Sequence, residues 1–147
     1  MSTDNKEQDV FSFSLEDIEI LEKSFSYLPK KADKKFDFDI GLKISINAPK
    51  KQSVHVINVS IVLKGEKKKV AAFSIGCIFE INDLENLVII EKGETTLPQA
   101  LLNLLNAVVI GTTRGIIYSE LRGTVLDGTF LPVLDPRGFE HENKNTM

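Results

Sequence analysis

The sequence predicts an α+β domain: a four-stranded antiparallel sheet followed by one long helix. Three observations carry that expectation. Apolar and polar residues alternate over much of residues 11 to 81, the run from Leu97 to Leu121 has helical periodicity and almost no charge, and the strand-rich part ends before the helix-rich part begins.

Phe11, Phe13 and Leu15 alternate with polar residues, as do Ile18 and Ile20. The phase break between the two sets predicts a first strand with a bulge or bend, running on towards Tyr27. After Pro29, the run Lys30-Lys31-Ala32-Asp33-Lys34-Lys35 predicts a solvated linker. Phe36, Phe38, Ile40, Leu42, Ile44 and Ile46 then hold every even position, the pattern of a half-buried antiparallel strand, and Ala48-Pro49-Lys50-Lys51 ends it.

Val54 to Leu63 is rich in valine and isoleucine and predicts the third strand. Lys64-Gly65-Glu66-Lys67 is short and polar, so the third and fourth strands should form a hairpin. In the fourth strand, Val70 to Ile81, one face carries Ala71, Phe73, Ile75, Cys77, Phe79 and Ile81. The other carries Val70, Ala72, Ser74, Gly76 and Ile78, whose small members permit close approach of another backbone or subunit. Asn82 to Asn86 reads as a turn, and Leu87 to Ile90 as a short edge segment or the start of a loop.

The helix should open with Thr95 or Thr96 as N-cap and Pro98 in the first turn. Run to Leu121, it would span about 37 Å. Its only charged residues are Arg114 and Glu120, whereas a surface helix of a small monomer carries a full polar face. Leu101, Leu104, Leu105 and Val108 form a stripe that continues through Gly111, Thr112, Gly115 and Ser119, bulky at one end and small at the other. Two glycines inside a helix cost about 1 kcal/mol each relative to alanine, which calls for a reason such as a closely packed second helix. One helix also cannot cover a sheet that is apolar on both faces. Oligomerisation answers both problems; the alternative is the core helix of an α+β monomer.

The 147 residues suit one domain, and 42% hydrophobic and 27% charged residues lie in the globular range. The polar stretches 1 to 9 and 141 to 147 read as disordered tails around a single domain at 10 to 140. A net charge of −3 and a pI near 5.4 supply no general footprint for nucleic acid, so none is expected as a partner. The single Cys77 permits no internal disulfide, and with His55 and His141 as the only histidines no zinc site is expected. The polar N-terminus is unlike a secretory signal, and Leu97 to Ile110 is interrupted by Gln99, Asn103 and Asn106. The expectation is a cytoplasmic protein without membrane insertion.

No catalytic constellation emerges. Gly111-Thr112-Thr113-Arg114-Gly115 lacks the spacing of a phosphate-binding loop and sits within a helical period. Cys77 falls on an apolar strand face where a thiol is filler, and neither histidine has a partner that spacing would supply. Asp127-Gly128 and Asp135-Pro136 are turn signals. Arg114 and Glu120 are expected to pair across a subunit boundary. No metal and no cofactor are expected.

Several segments together resemble a known family. Ile75-Gly76-Cys77-Ile78-Phe79-Glu80-Ile81 resembles the Gly-Gly-Ile-Phe-type strand of the SecB export chaperones. Arg122-Gly123-Thr124, followed by Leu131-Pro132-Val133-Leu134-Asp135-Pro136 and Phe139, is similar to that family's ending, and four strands before a long helix match its order. The resemblance covers roughly residues 10 to 140.

It implies a homotetramer, a dimer of dimers with long helices between two sheets, acting as an ATP-independent holdase for unfolded or non-native polypeptides in protein export. It implies no enzyme activity. On this reading the client groove comprises Phe25, Tyr27, Leu28, Phe36, Phe38, Leu131, Val133, Leu134 and Phe139. The oligomer interface comprises Val70, Ala72, Ser74, Gly76, Leu104, Val108, Gly111, Thr112 and Gly115. The C-terminal segment by which such chaperones contact the motor SecA is largely missing after Phe139, which makes SecA a doubtful partner. A chaperone of an antitoxin is a variant of this reading. The alternative is a small oligomeric α+β enzyme or ligand-binding protein, thioesterase-like, with a helix wrapped in sheet.

Overall fold

The computed structural model describes residues 11–26, 35–65, 68–124, 126–129 and 131–132; the expected tails lie outside them. The chain forms β1 (Phe13–Phe25), β2 (Phe36–Asn47), β3 (Gln52–Leu63), β4 (Lys68–Ile81), a single-turn α1 (Leu84–Leu87), β5 (Ile89–Glu91), β6 (Glu94–Thr96) and α2 (Gln99–Glu120). The fold is the expected α+β arrangement of a four-stranded antiparallel sheet and a long C-terminal helix.

The main sheet has the order β1-β4-β3-β2. β2, β3 and β4 follow one another as hairpins, while β1 pairs with β4 on the far side, a Greek-key arrangement that makes β1 and β2 the two edges. The pairing of β1 with β4 slips between Leu15 and Asp17 and again between Ile20 and Glu22. These are the expected bulges, and each restores the apolar residues of β1 to the same face after a phase break.

Register defines two faces. Ile20, Ile75, Ile57 and Leu42 form one row across all four strands, and alternation assigns the remaining core positions to that face. α2 lies over it, against β3 and β4. Its sheetward side carries Leu101, Leu102, Leu105, Val109, Ile110 and Ile117, which close over Ile57, Phe73, Ile75, Cys77 and Phe79. At about 1.5–3 kcal/mol for each fully buried large apolar side chain, this layer supplies the main drive for folding.

Two local expectations are corrected. Thr95 and Thr96 do not cap the helix: they belong to β6, and Pro98 occupies the N-cap without a side-chain bond. Proline can start a helix because its missing N–H would have been unpaired there anyway. The segment after Leu87 is one arm of a two-stranded hairpin with β6, turned by Lys92 at φ 53 and Gly93 at φ 77. Positive φ at both central residues is the type I′ geometry whose twist matches the flanking strands.

The helix ends at a stapled turn. Gly123 takes φ 82, Thr124 Oγ1 donates to the Leu121 carbonyl at 2.7 Å, and the Gly123 amide donates to Asp127 Oδ2 at 3.1 Å. A side chain at Gly123 would be strained at this φ. The small hydroxyl of Thr124 also accepts from the Leu126 amide at 3.1 Å, so Gly123 and Thr124 each have a local reason for their residue type.

Candidate functional site

The helix covers only part of the face it lies on. On β1, Phe13, Leu15, Ile18, Ile20, Lys23 and Phe25 share the helix side, whereas Ser14, Asp17, Glu19, Glu22 and Ser24 point away. Leu15 is 37% exposed, Ile18 41%, Ile20 46% and Phe25 45%, although their neighbours in β4 are buried. Phe25 meets Phe73 edge-on at 5.8 Å and Phe13 meets Phe79 at 6.0 Å. These contacts anchor the two ends of an open apolar strip along an edge strand, the kind of surface that binds another chain by side-chain burial and main-chain pairing.

Among the residues expected in a groove, Phe25 sits at one end of that strip, and Phe36 and Phe38 are half-buried on the opposite edge, packed against the core. Leu131 is 2% exposed and belongs to the core cluster. Tyr27, Leu28, Val133, Leu134 and Phe139 lie outside the described residues. Phe25 pairs with Ala71, Ala71 with Ile61, and Ile61 with Phe38. The row places Phe25 and Phe38 three strands, or about 14 Å, apart on the helix-bearing face.

The residues expected at a subunit interface fall into two groups. Ala72, Ser74 and Gly76 are buried on the sheet face away from the helix, and Val70 is buried at a register slip in β4. The close approach that Gly76 permits is made within the chain: Leu21, from the second bulge of β1, brings Cδ1 to 3.4 Å of the point where a Cβ would stand. Leu104, Gly111 and Gly115 instead lie on the outward side of α2, where Leu104 and Tyr118 are exposed and a Cβ on either glycine would meet none of the described residues within 4 Å, while Val108 and Thr112 are half-buried at its flank, Val108 packed against the core. Leu101 and Leu105, read from the wheel as part of that same stripe, turn into the core.

The two rare charges of the helix are used within the chain. Arg114 Nε donates to the Leu131 carbonyl at 3.3 Å and Nη2 to the Pro132 carbonyl at 3.1 Å, clamping the segment after the helix back onto it. Glu120 pairs with Lys23 of β1 at 2.9 Å. With both side chains partly exposed, that pair contributes at most about 1 kcal/mol.

The chemical candidates remain inside the fold. Ser53 Oγ and His55 Nε2 share a hydrogen bond of 2.8 Å, and the imidazole meets Phe79 edge-on at 5.2 Å. A serine beside a histidine resembles half of an acyl-transfer site, but both residues are wholly buried and a nucleophile must reach its substrate. Alternation in β3 puts them on one face two residues apart, a signal available in the sequence. Burial pushes the Cys77 thiol up to about 11 from 9.0, so it is neutral and unreactive at physiological pH. Among the described residues, no three His, Cys, Asp or Glu side chains converge as metal ligands do.

A cleft of about 620 Å³ opens where the β2–β3 turn meets the β5–β6 hairpin, lined by residues including Ile46, Val54, Val88 and Ile90 with Asn47, Gln52 and Thr95. It lies at the far end of the sheet from Phe25 and Phe36, and among the described residues no carboxylate or histidine lines it. The arrangement offers hydrophobic contact and amide hydrogen bonds, not acid–base chemistry.

No family model and no curated protein matches the sequence. Among solved structures, the chain is similar to a SecB-like chaperone of Mycobacterium tuberculosis, solved in complex with a ChAD peptide from the HigA1 antitoxin. The TM-score is 0.56 at 15% identity, over 83% of this chain and 87% of that one. The likeness supports a SecB-like fold. A protein of unknown function from Streptococcus agalactiae aligns at a TM-score of 0.45 and 12% identity, over 85% of this chain and all of the other.

Proposed function

We propose that this protein is an ATP-independent holdase that keeps unfolded or non-native polypeptides from aggregating. The observation that carries the reading is the open apolar strip of β1, Leu15, Ile18, Ile20 and Phe25, beside a fully sealed core. An extended client would bury apolar side chains on the strip and pair its backbone with the free edge of β1, which demands no single sequence. The Phe36 and Phe38 edge would be a second contact region, with Tyr27, Leu28, Val133, Leu134 and Phe139 as further groove residues. Leu131 is assigned to the core. The SecB-like fold supports the same reading, as does the antitoxin peptide held by the mycobacterial chaperone.

The working unit is a cytoplasmic homotetramer, a dimer of dimers, assembled through the outward stripe Leu104, Val108, Gly111, Thr112 and Gly115. A Cβ on Gly111 or Gly115 would meet none of the described residues within 4 Å, and a second helix seated there would give their helix-weakening presence a reason. Export and antitoxin control are the two settings in which such a holdase would act; sequencing the polypeptides that copurify with it separates them.

The direct test is suppression of light scattering by a chemically unfolded, unrelated protein diluted into buffer without ATP. Suppression at stoichiometric amounts is expected, and unchanged aggregation contradicts the proposal. Multi-angle light scattering should report four chains; a monomeric mass contradicts the assembly.

A further inference from the structure

The open strip of β1 is not apolar throughout. Ile20, Lys23 and Phe25 lie opposite Ile75, Phe73 and Ala71, successive positions on the helix-bearing face of β4. Lys23 therefore stands between two apolar residues of the strip, about 7 Å from each along the strand. It is the only charge among the residues of β1 that share the helix side.

The Lys23 ammonium meets the Glu120 carboxylate at 2.9 Å. Glu120 is the last residue of α2, so the ion pair runs from the edge strand to the end of the helix. It crosses the strip and divides it, with Leu15, Ile18 and Ile20 on one side and Phe25 on the other. Stability gives little reason for this arrangement. The C-terminal end of a helix carries partial negative charge and favours a cation, yet α2 has no basic residue in its last turn and ends on a carboxylate. With the two side chains 43% and 30% exposed, water screens the attraction that would offset this.

We infer that the Lys23–Glu120 pair is a built-in bar across the client strip, which an extended segment must open or cover to reach from Ile20 to Phe25. The inference rests on the holdase reading and adds an autoinhibitory contact to that site. Leu15 and Phe25 pair with Phe79 and Ala71, about 27 Å apart along β4. A client that used the whole strip would lay about nine residues along β1 and set one side chain over Lys23. An apolar side chain there desolvates the pair and returns no hydrogen bond. The bar therefore lowers affinity for uninterrupted apolar segments, and it does so through a bond that salt weakens. Binding of a neutral apolar segment should tighten as salt rises, the reverse of an encounter driven by attraction between opposite charges.

The test titrates a fluorescein-labelled, uncharged peptide of about twelve residues, with leucine or phenylalanine at every second position, against the full-length protein by anisotropy. Glu120→Gln keeps the shape of the side chain and frees Lys23 to turn into water. It should bind the peptide about two- to fivefold tighter than wild type at about 50 mM NaCl. At about 300 mM the wild type should close most of that gap, because salt has already weakened its bar. Lys23→Gln breaks the pair from the strand side and should tighten binding in the same way. Glu19→Gln removes a carboxylate from the other face of β1 and should leave affinity and salt response as in wild type. Affinity in Glu120→Gln and Lys23→Gln equal to or weaker than wild type overturns the bar and leaves the holdase reading standing. An equal gain in Glu19→Gln overturns it too, since net charge would then be the cause. Failure of the wild type and every variant to bind the peptide overturns both.

Discussion

Strands β4 and β1 run side by side on one face of one sheet, with similar side chains and opposite fates. Ile75 is sealed and its cross-strand partner Ile20 is nearly half exposed; Cys77 and Ile18, and Phe79 and Leu15, repeat the contrast. Hydrophobicity does not separate the two strands. Cover does, because α2 lies over β3 and β4 and stops short of the β1 edge. The sealed half supplies stability, and the open half is surface that folding leaves available for something else.

The largest expected effect comes from attacking the sealed half. Phe79→Ala should cost about 3–5 kcal/mol, through lost transfer energy and the cavity left among Phe13, His55 and the helix. Ile18→Ala on the open half should cost about 1 kcal/mol or less, because half of that side chain is already in water. Urea denaturation of the two variants measures the contrast, and equal costs would erase the distinction.

The second test uses pH. Burial holds the Cys77 thiol at about 11 against an ordinary 9.0, so the folded state grips this proton more tightly than the unfolded state does. The contribution is whole below pH 9.0 and is lost as pH rises through about 11, a loss of about 2–3 kcal/mol. Comparing the pH dependence of the urea midpoint in wild type and Cys77→Ala isolates it; parallel curves would mean that the half containing Cys77 is not sealed.

Removing the Arg114 clamp should cost about 1–2 kcal/mol. Arg114→Ala should also raise hydrogen exchange at residues following Leu126, with little change in β1 and β4; uniform protection would deny the clamp its role. The smallest effect concerns the outward side of the helix. Gly111→Ala and Gly115→Ala meet open space among the described residues and should each stabilise the dissociated subunit by about 0.5–1 kcal/mol. Bulky substitutions there should break the assembly, and an unaltered mass from Gly111→Leu would show that the stripe is not a seam.

The division between the two halves was only partly legible in the sequence. Alternation revealed β2, β3 and β4 and the bulged course of β1, because a half-buried strand must repeat every two residues. The hairpin at Ile89 to Thr96 is legible only as a short edge segment at its start: its arms are too short to show a period, and its one strong signal is Gly93 after Lys92. The apolar face of β1 was legible, but not its exposure, which follows from the order β1-β4-β3-β2 and the course of α2. Neither is a local property. For the same reason Arg114 and Glu120 stood out as unusual charges while their partners, carbonyls after the helix and a lysine from the first strand, could not be read from spacing. The helix wheel puts Leu101 and Leu104 in one stripe, but the sheet divides them, since the buried face, which runs through Leu102, Asn106, Val109, Ile110, Thr113 and Ile117, is centred about a third of a turn round the helix from that stripe.

The claim that β1 is left open for binding is tested most directly by the affinity for one unfolded polypeptide, measured by anisotropy for wild type and for Ile18→Ser/Ile20→Ser. Predicted is a loss of about tenfold or more in affinity, with unchanged mass by light scattering and a melting transition that stays cooperative and falls by only a few degrees. Equal affinity in the two proteins would contradict the account.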